Sequence, residues 1–101
     1  MRVGIKATNM DLTQAIKDYA GEKLGGLDKY FDNIQQVDIE VGKTTNHHQK
    51  GDIFFCEVNV SVTRTLLRYR NETDDLYKAI NQAKKGIQLE IKRYKEKMRE
   101  V

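Results

Sequence analysis

Between Leu76 and Met98, apolar residues return at steps of four, three, four, four, three and four: Leu76, Ile80, Ala83, Ile87, Ile91, Tyr94, Met98. No strand can use that spacing, because successive strand residues point to opposite faces. The spacing predicts one long helix with an apolar stripe that must be covered by a sheet or by another helix. Thr73/Asp74 stand where its cap is expected.

The rest of the chain supplies the cover. Val3, Ile5 and Ala7 alternate with Arg2, Gly4 and Lys6, which reads as a first strand with one buried face. A helix should follow, capped by Thr13, with the stripe Ile16, Tyr19, Ala20, Leu24, Leu27 and Phe31 and an end at Asp32-Asn33. Gly21, Gly25 and Gly26 each weaken that helix by about 1 kcal/mol relative to alanine, so an irregular second half is expected. Val37, Ile39 and Val41 mark a second strand. Phe54, Cys56, Val58, Val60 and Val62 mark one face of a third, with Phe55, Glu57, Asn59 and Ser61 on the other. A fourth strand, around Leu66 to Glu72, buries Leu67 and Tyr69 and exposes Arg68 and Arg70.

The order β-α-β-β-β-α, with every strand apolar on one side only, selects an architecture. Such a sheet is covered on one face and wet on the other. The crossover through the first helix should make strands one and two parallel, and the next two strands should join as antiparallel hairpins. The expected fold is α+β: a two-layer sandwich of a four-stranded mixed sheet with two helices on one face. At 101 residues the chain is read as a single domain over residues 1–101.

Charge is distributed unevenly over this frame. From Asp74 onward there are eight Lys/Arg against five acids, while residues 1–73 carry ten of each, so the net +3 falls entirely on the last segment. On a helical wheel Lys78, Lys84, Lys85, Lys92, Lys95 and Arg99 share an arc of about 120° at about 100° per residue. Tyr77, Asn81 and Gln88 lie among them. A solvated lysine-rich face is the plain alternative. Few glutamates stand four residues ahead to offset these cations, which favours phosphate binding.

Other chemistry is weaker. The adjacent pair His47-His48 lies in a polar loop without a third ligand at usual spacing, so no metal and no cofactor is expected. Cys56 sits on the apolar face of its strand and reads as an inert buried thiol. Asp74-Asp75 are explained by their place at a helix start. Phe55 on the open sheet face could stack a base, but a neighbouring strand's side chain is the more ordinary partner. The segment Lys50–Phe55 lacks the aromatic pattern of an RNA-recognition motif. The longest apolar run, Ile53–Cys56, is far short of the roughly 20 residues of a membrane helix. No nucleophile arrangement or phosphate-cradling loop is found, so neither an enzyme nor a small-molecule substrate is expected.

Three segments resemble one known family in order along the chain. They are Thr8-Asn9-Met10-Asp11-Leu12-Thr13-Gln14-Ala15-Ile16, then Lys23-Leu24 with Leu27-Asp28-Lys29-Tyr30-Phe31, then Asp74-Asp75-Leu76-Tyr77-Lys78-Ala79-Ile80-Asn81. The third is similar to the opening of that family's second helix. The family is the ribosome hibernation-promoting factors, also called ribosome-associated inhibitor or sigma-54 modulation proteins.

The resemblance implies a cytoplasmic protein that binds small-subunit rRNA where mRNA and tRNA sit at the A and P sites. It further implies steric inhibition of translation in stress or stationary phase, without catalysis. Lys17, Lys23 and Lys29 match the family's basic positions on the first helix, and Arg93, Lys95 and Lys97 those on the second. Gly86 and Leu89 stand where the family commonly has basic residues, and Gly26 where it often has lysine. Lys84, Lys85 and Lys92 are expected to supply that charge from the other flank. The chain ends after the second helix, as short members do, and a monomer is expected off the ribosome. The family's older name keeps open a protein-interaction module that regulates a transcription factor.

Overall fold

The computed structural model describes residues 1–29, 31, 33–44 and 51–99. Its elements are β1 (Arg2–Thr8), α1 (Gln14–Leu24), a 3-10 turn (Leu27–Lys29), β2 (Gln36–Lys43), β3 (Phe54–Val62), β4 (Thr65–Thr73) and α2 (Leu76–Arg99). The strands form one sheet in the order β1-β2-β3-β4. β1 runs parallel to β2, with Val3 beside Val37 and Ile5 beside Ile39. β2–β3 and β3–β4 are antiparallel. This is the expected two-layer α+β sandwich with a mixed sheet.

Alternation decides which face is covered. Val37, Ile39 and Val41 of β2 and Cys56, Val58, Val60 and Val62 of β3 are buried. They meet Ile16, Ala20 and Leu24 of α1 and Leu76, Ala79, Ile80, Ala83, Ile87 and Ile91 of α2 in one core. Each large aliphatic side chain buried in this way stabilises the fold by roughly 1.5–3 kcal/mol. The opposite sheet face carries Asp38, Glu40, Glu57, Arg68 and Arg70.

The stripes fray at their ends. Val3 points to the covered face but remains 42% exposed, because β1 is an edge strand with a neighbour on one side only. Met98 is 51% exposed. A helix of 24 residues is about 36 Å long, whereas nine-residue strands span about 30 Å, so α2 overruns the sheet.

Two helix ends differ from expectation. α1 is capped by Thr13, whose hydroxyl accepts from the Ile16 N–H at 3.2 Å, but it stops at Leu24 rather than Asp32-Asn33. The Gly25-Gly26 pair interrupts it. Gly25 N–H still donates to Gly21 O at 2.8 Å, and the chain then tightens into the 3-10 turn that keeps Leu27 buried. Asp32 lies outside the described residues. At α2 the cap is Asp75, not Thr73/Asp74: its carboxylate accepts from the N–H groups of Tyr77 (2.9 Å) and Lys78 (3.3 Å). Thr73 is still paired with Phe54 in the sheet, so the turn into α2 needs one more residue.

Gly86 has a packing role. A Cβ there would overlap the Tyr69 ring, which lies directly under the helix. Lost glycine thus conflicts with a gain of about 1 kcal/mol in helix propensity. Overpacking normally costs about 1–3 kcal/mol, so Gly86→Ala should destabilise the fold, seen as a lower urea midpoint. In a Tyr69→Leu background the same substitution should turn neutral or stabilising.

Candidate nucleic-acid interface

α1 and α2 lie side by side on the sheet, and their outward faces meet along a seam. Tyr19 of α1 and Tyr77 of α2 touch edge to face, ring centroids 4.8 Å apart and planes at 89°. The Tyr19 hydroxyl accepts a 2.6 Å hydrogen bond from Asn81 Nδ2, and Lys23 Nζ sits 5.5 Å from the Tyr19 ring centre. Lys23, Asn81, Lys84, Lys85 and Gln88 line a shallow depression beside this latch. One to three turns further on, Gln88, Ile91, Lys92, Lys95, Glu96 and Arg99 line another. Lys95 Nζ lies 5.9 Å from the Phe31 ring centre.

The eleven basic positions expected to bind therefore divide. Lys23, Lys84 and Lys85 converge at the seam, and Lys92, Lys95 and Arg99 continue the same side of α2. Lys78 stands exposed on the first turn of α2. Lys17 is exposed on α1, and Lys29 is exposed on the 3-10 turn. Arg93 and Lys97 occupy the other flank, next to Thr65, Leu67 and Tyr94 on the β4 side. Arg93 there pairs with Glu90 at 3.1 Å.

Ion pairing separates the two faces of the protein. On the open sheet face Arg68, Arg70 and Lys6 are tied. Arg68 meets Glu57 at 2.7 Å, Arg70 reaches Glu57 (3.7 Å) and Glu72 (3.2 Å), and Lys6 lies 3.9 Å from Glu40. Burial pushes the Glu57 carboxyl up. Hydrogen bonds from Arg68 and Asn59, with the charges of Arg68 and Arg70, outweigh it and hold Glu57 below its ordinary value. On the helical face, among the described residues, Lys78, Lys84, Lys85, Lys92 and Arg99 have no carboxylate within 4.0 Å. Five cations without a carboxylate partner are thus gathered on the outer side of α2.

The other candidates fall away from that face. Phe55 is 4% exposed: its ring lies across Gly42, and the Arg70 guanidinium sits 4.1 Å above it. The ordinary reading of Phe55 therefore holds, and it offers no surface to a base. Burial, with the Glu57 charge beside it, pushes the Cys56 thiol up to about 12, so it stays protonated and unreactive. His47 and His48 lie outside the described residues. Among the described residues no cluster of His, Cys, Asp and Glu is placed to hold a metal, and no helix is long and apolar enough to cross a membrane.

The sequence profile described as "Sigma 54 modulation protein / S30EA ribosomal protein" matches residues 3–99. The chain belongs to that family. Relatives named ribosome hibernation promotion factor are 29% identical in Bacillus subtilis and 26% in Lactococcus lactis, each over 98 residues and 97% of this chain. The match covers 50% and 51% of those proteins, so the chain spans about half their length. A ribosomal subunit interface protein from Coxiella burnetii shares the fold at a TM-score of 0.80, 18% identity, and coverage of 94% of this chain and 98% of that one. The Thermus thermophilus Protein Y N-terminal domain superposes at 0.72 with 28% identity, covering 92% and 94%.

This S30EA-family chain holds one feature that single-sequence reasoning missed: the Tyr19–Tyr77–Asn81 latch. By spacing Tyr19 reads as core stripe alone, and its partner Asn81 is 62 residues away. Only the helix–helix docking angle decides that they meet.

The electrostatics of the sheet face have a pH consequence. A carboxyl held below its ordinary 4.5 contributes stability that is complete above that value and lost as pH falls through the lowered one. Glu57→Gln should therefore flatten the acid limb of a stability–pH curve below about 4.5 and leave its slope near neutrality unchanged.

Proposed function

We propose that this chain is the ribosome-binding unit of a hibernation factor. It docks on small-subunit rRNA in the channel that mRNA and tRNA otherwise occupy at the A and P sites. Occupancy blocks initiation sterically, with no reaction catalysed, in the cytoplasm of a stressed or stationary cell. The protein reaches the ribosome as a monomer. One observation carries this reading: Lys78, Lys84, Lys85, Lys92 and Arg99, without a carboxylate partner among the described residues, line the exposed side of α2 and are joined by Lys23 across the seam, while Arg68 and Arg70 on the open sheet face are held by Glu57. Phosphate backbone is the chemistry such a row fits. Membership of the family and the names of its relatives supply the ribosome as the source of that phosphate.

The roles follow from placement. Lys84, Lys85 and Lys23 grip phosphates at the seam, and Lys78, Lys92, Lys95 and Arg99 follow the strand along α2. Lys17 and Lys29 extend the field over α1, and Arg93 and Lys97 extend it around the end of α2. Gly86 and Leu89 cannot add charge, but the flank opposite them already carries it.

Engaging four phosphates would give log K a slope of about −3 against log salt, and about a 60-fold loss of affinity between roughly 50 and 200 mM. Co-sedimentation with small subunits at the two salt levels should show that loss. Charge reversal at Lys84, Lys85, Lys92 and Lys95 should release the protein and relieve inhibition of translation in vitro. Binding that survives salt and ignores these four substitutions would favour the protein-interaction module instead.

A further inference from the structure

Tyr77 is the one exposed aromatic ring among the described residues, at 42%. Every other aromatic there is at least half covered, by the core, by Arg70 or by a neighbouring ring. Exposed apolar surface of that size is unfavourable in water, and its position is not random. On the helical wheel Tyr77 shares a column with Lys84, Gln88 and Lys95 at the edge of the cationic arc that faces α1. The remaining exposed apolar residues lie elsewhere: Leu66, Leu89 and Met98 toward β4, Met1 and Val3 at the β1 edge.

The ring is also held still. Tyr19 meets it edge to face, Asn81 fixes the Tyr19 hydroxyl, and Lys23 sits over the Tyr19 ring. A ring fixed before binding loses little freedom when a ligand arrives. Beside it, hydrogen-bonding capacity is left unused. Among the described residues Asn81 Oδ1 and the whole Gln88 amide have no protein partner, and both line the seam depression. A row of lysines alone would serve any phosphate backbone, duplex included. A fixed aromatic face with the free Asn81 carbonyl one turn along and cations on both sides fits a flipped-out nucleotide: stacking for the base, the Asn81 oxygen for its edge, lysines for its phosphates.

Resting on the rRNA reading above, we infer that the Tyr19–Tyr77 seam is a subsite for an unpaired RNA base, with Tyr77 the stacking platform and Asn81, one turn on, the edge reader; Gln88, about 16 Å from Tyr77 along α2, faces the next nucleotide. Recognition there is of single-stranded RNA, and it adds a salt-independent component to the phosphate contacts.

Two measurements test it. The first is fluorescence anisotropy of a labelled single-stranded RNA of about twelve nucleotides, and of its duplex, over a salt series. Tyr77→Phe should bind as the parent does. Tyr77→Leu should lose roughly 5- to 150-fold on the single strand at every salt, with the slope unchanged. Lys84→Gln should instead flatten the slope by about 0.7. The second uses the unaltered protein, so that any folding defect of Tyr77→Leu is irrelevant: an oligonucleotide carrying 5-iodouracil should photocrosslink to Tyr77, located by mass spectrometry.

Unchanged affinity of Tyr77→Leu beside a weakened Lys84→Gln would overturn the base subsite and leave the phosphate face standing. Crosslinks on lysines with none on Tyr77, or tighter binding of the duplex, would do the same. Lysine and tyrosine variants that all bind as the parent does would overturn both readings.

Discussion

The covered face of the sheet is the constraint on which everything else depends. β2 and β3 present Val37, Ile39, Val41, Cys56, Val58, Val60 and Val62 on one side, and these leave water only if both helices lie across them. Since β1 must run parallel to β2, α1 is forced to the same side by the handed crossover, and α2 returns over β3 and β4. The backs of the two helices then form one continuous outer surface. Any charge carried on those backs is collected there without further design.

That collection explains why the two faces differ. Strand neighbours on the open face stand close together in fixed register, so oppositely charged side chains find one another: Glu57 lies between Arg68 and Arg70, and Lys6 near Glu40. On α2, among the described residues, Arg93 pairs with Glu90, whereas Lys78, Lys84, Lys85, Lys92 and Arg99 find no carboxylate. The unpaired lysines pay no stability penalty while solvated.

Glycine placement tunes how the layers sit. Gly86 lets the Tyr69 ring press under α2, and Gly42 lets Phe55 lie flat on the open face beneath Arg70. At Gly86 the absent side chain leaves room for a packing contact with Tyr69. The flank next to β4 is consequently more apolar, with Leu89 exposed, and the cationic side is the one facing α1. Arg93 and Lys97 remain on the first of these flanks, apart from the seam.

Much of this was readable from residues alone. Steps of three and four placed α2, alternation placed the strands, and the inventory of lysines against glutamates located the charge, because each rests on periodicity within one element. Local sequence puts the α2 cap one residue early, because the strand pairing of Thr73 with Phe54 is a contact across 19 positions. The apolar stripe runs past the end of α1, because burial of Leu24 and Leu27 persists through a break in the helix. What the chain determined by itself was therefore the set of amphipathic elements and the excess of positive charge. Only the tertiary structure decided that Tyr19 meets Tyr77 and Asn81, that Lys23 joins Lys84 across a seam, and that Phe55 is shut under Arg70. Those relations depend on how whole elements pack at angstrom distances, and no local spacing encodes that.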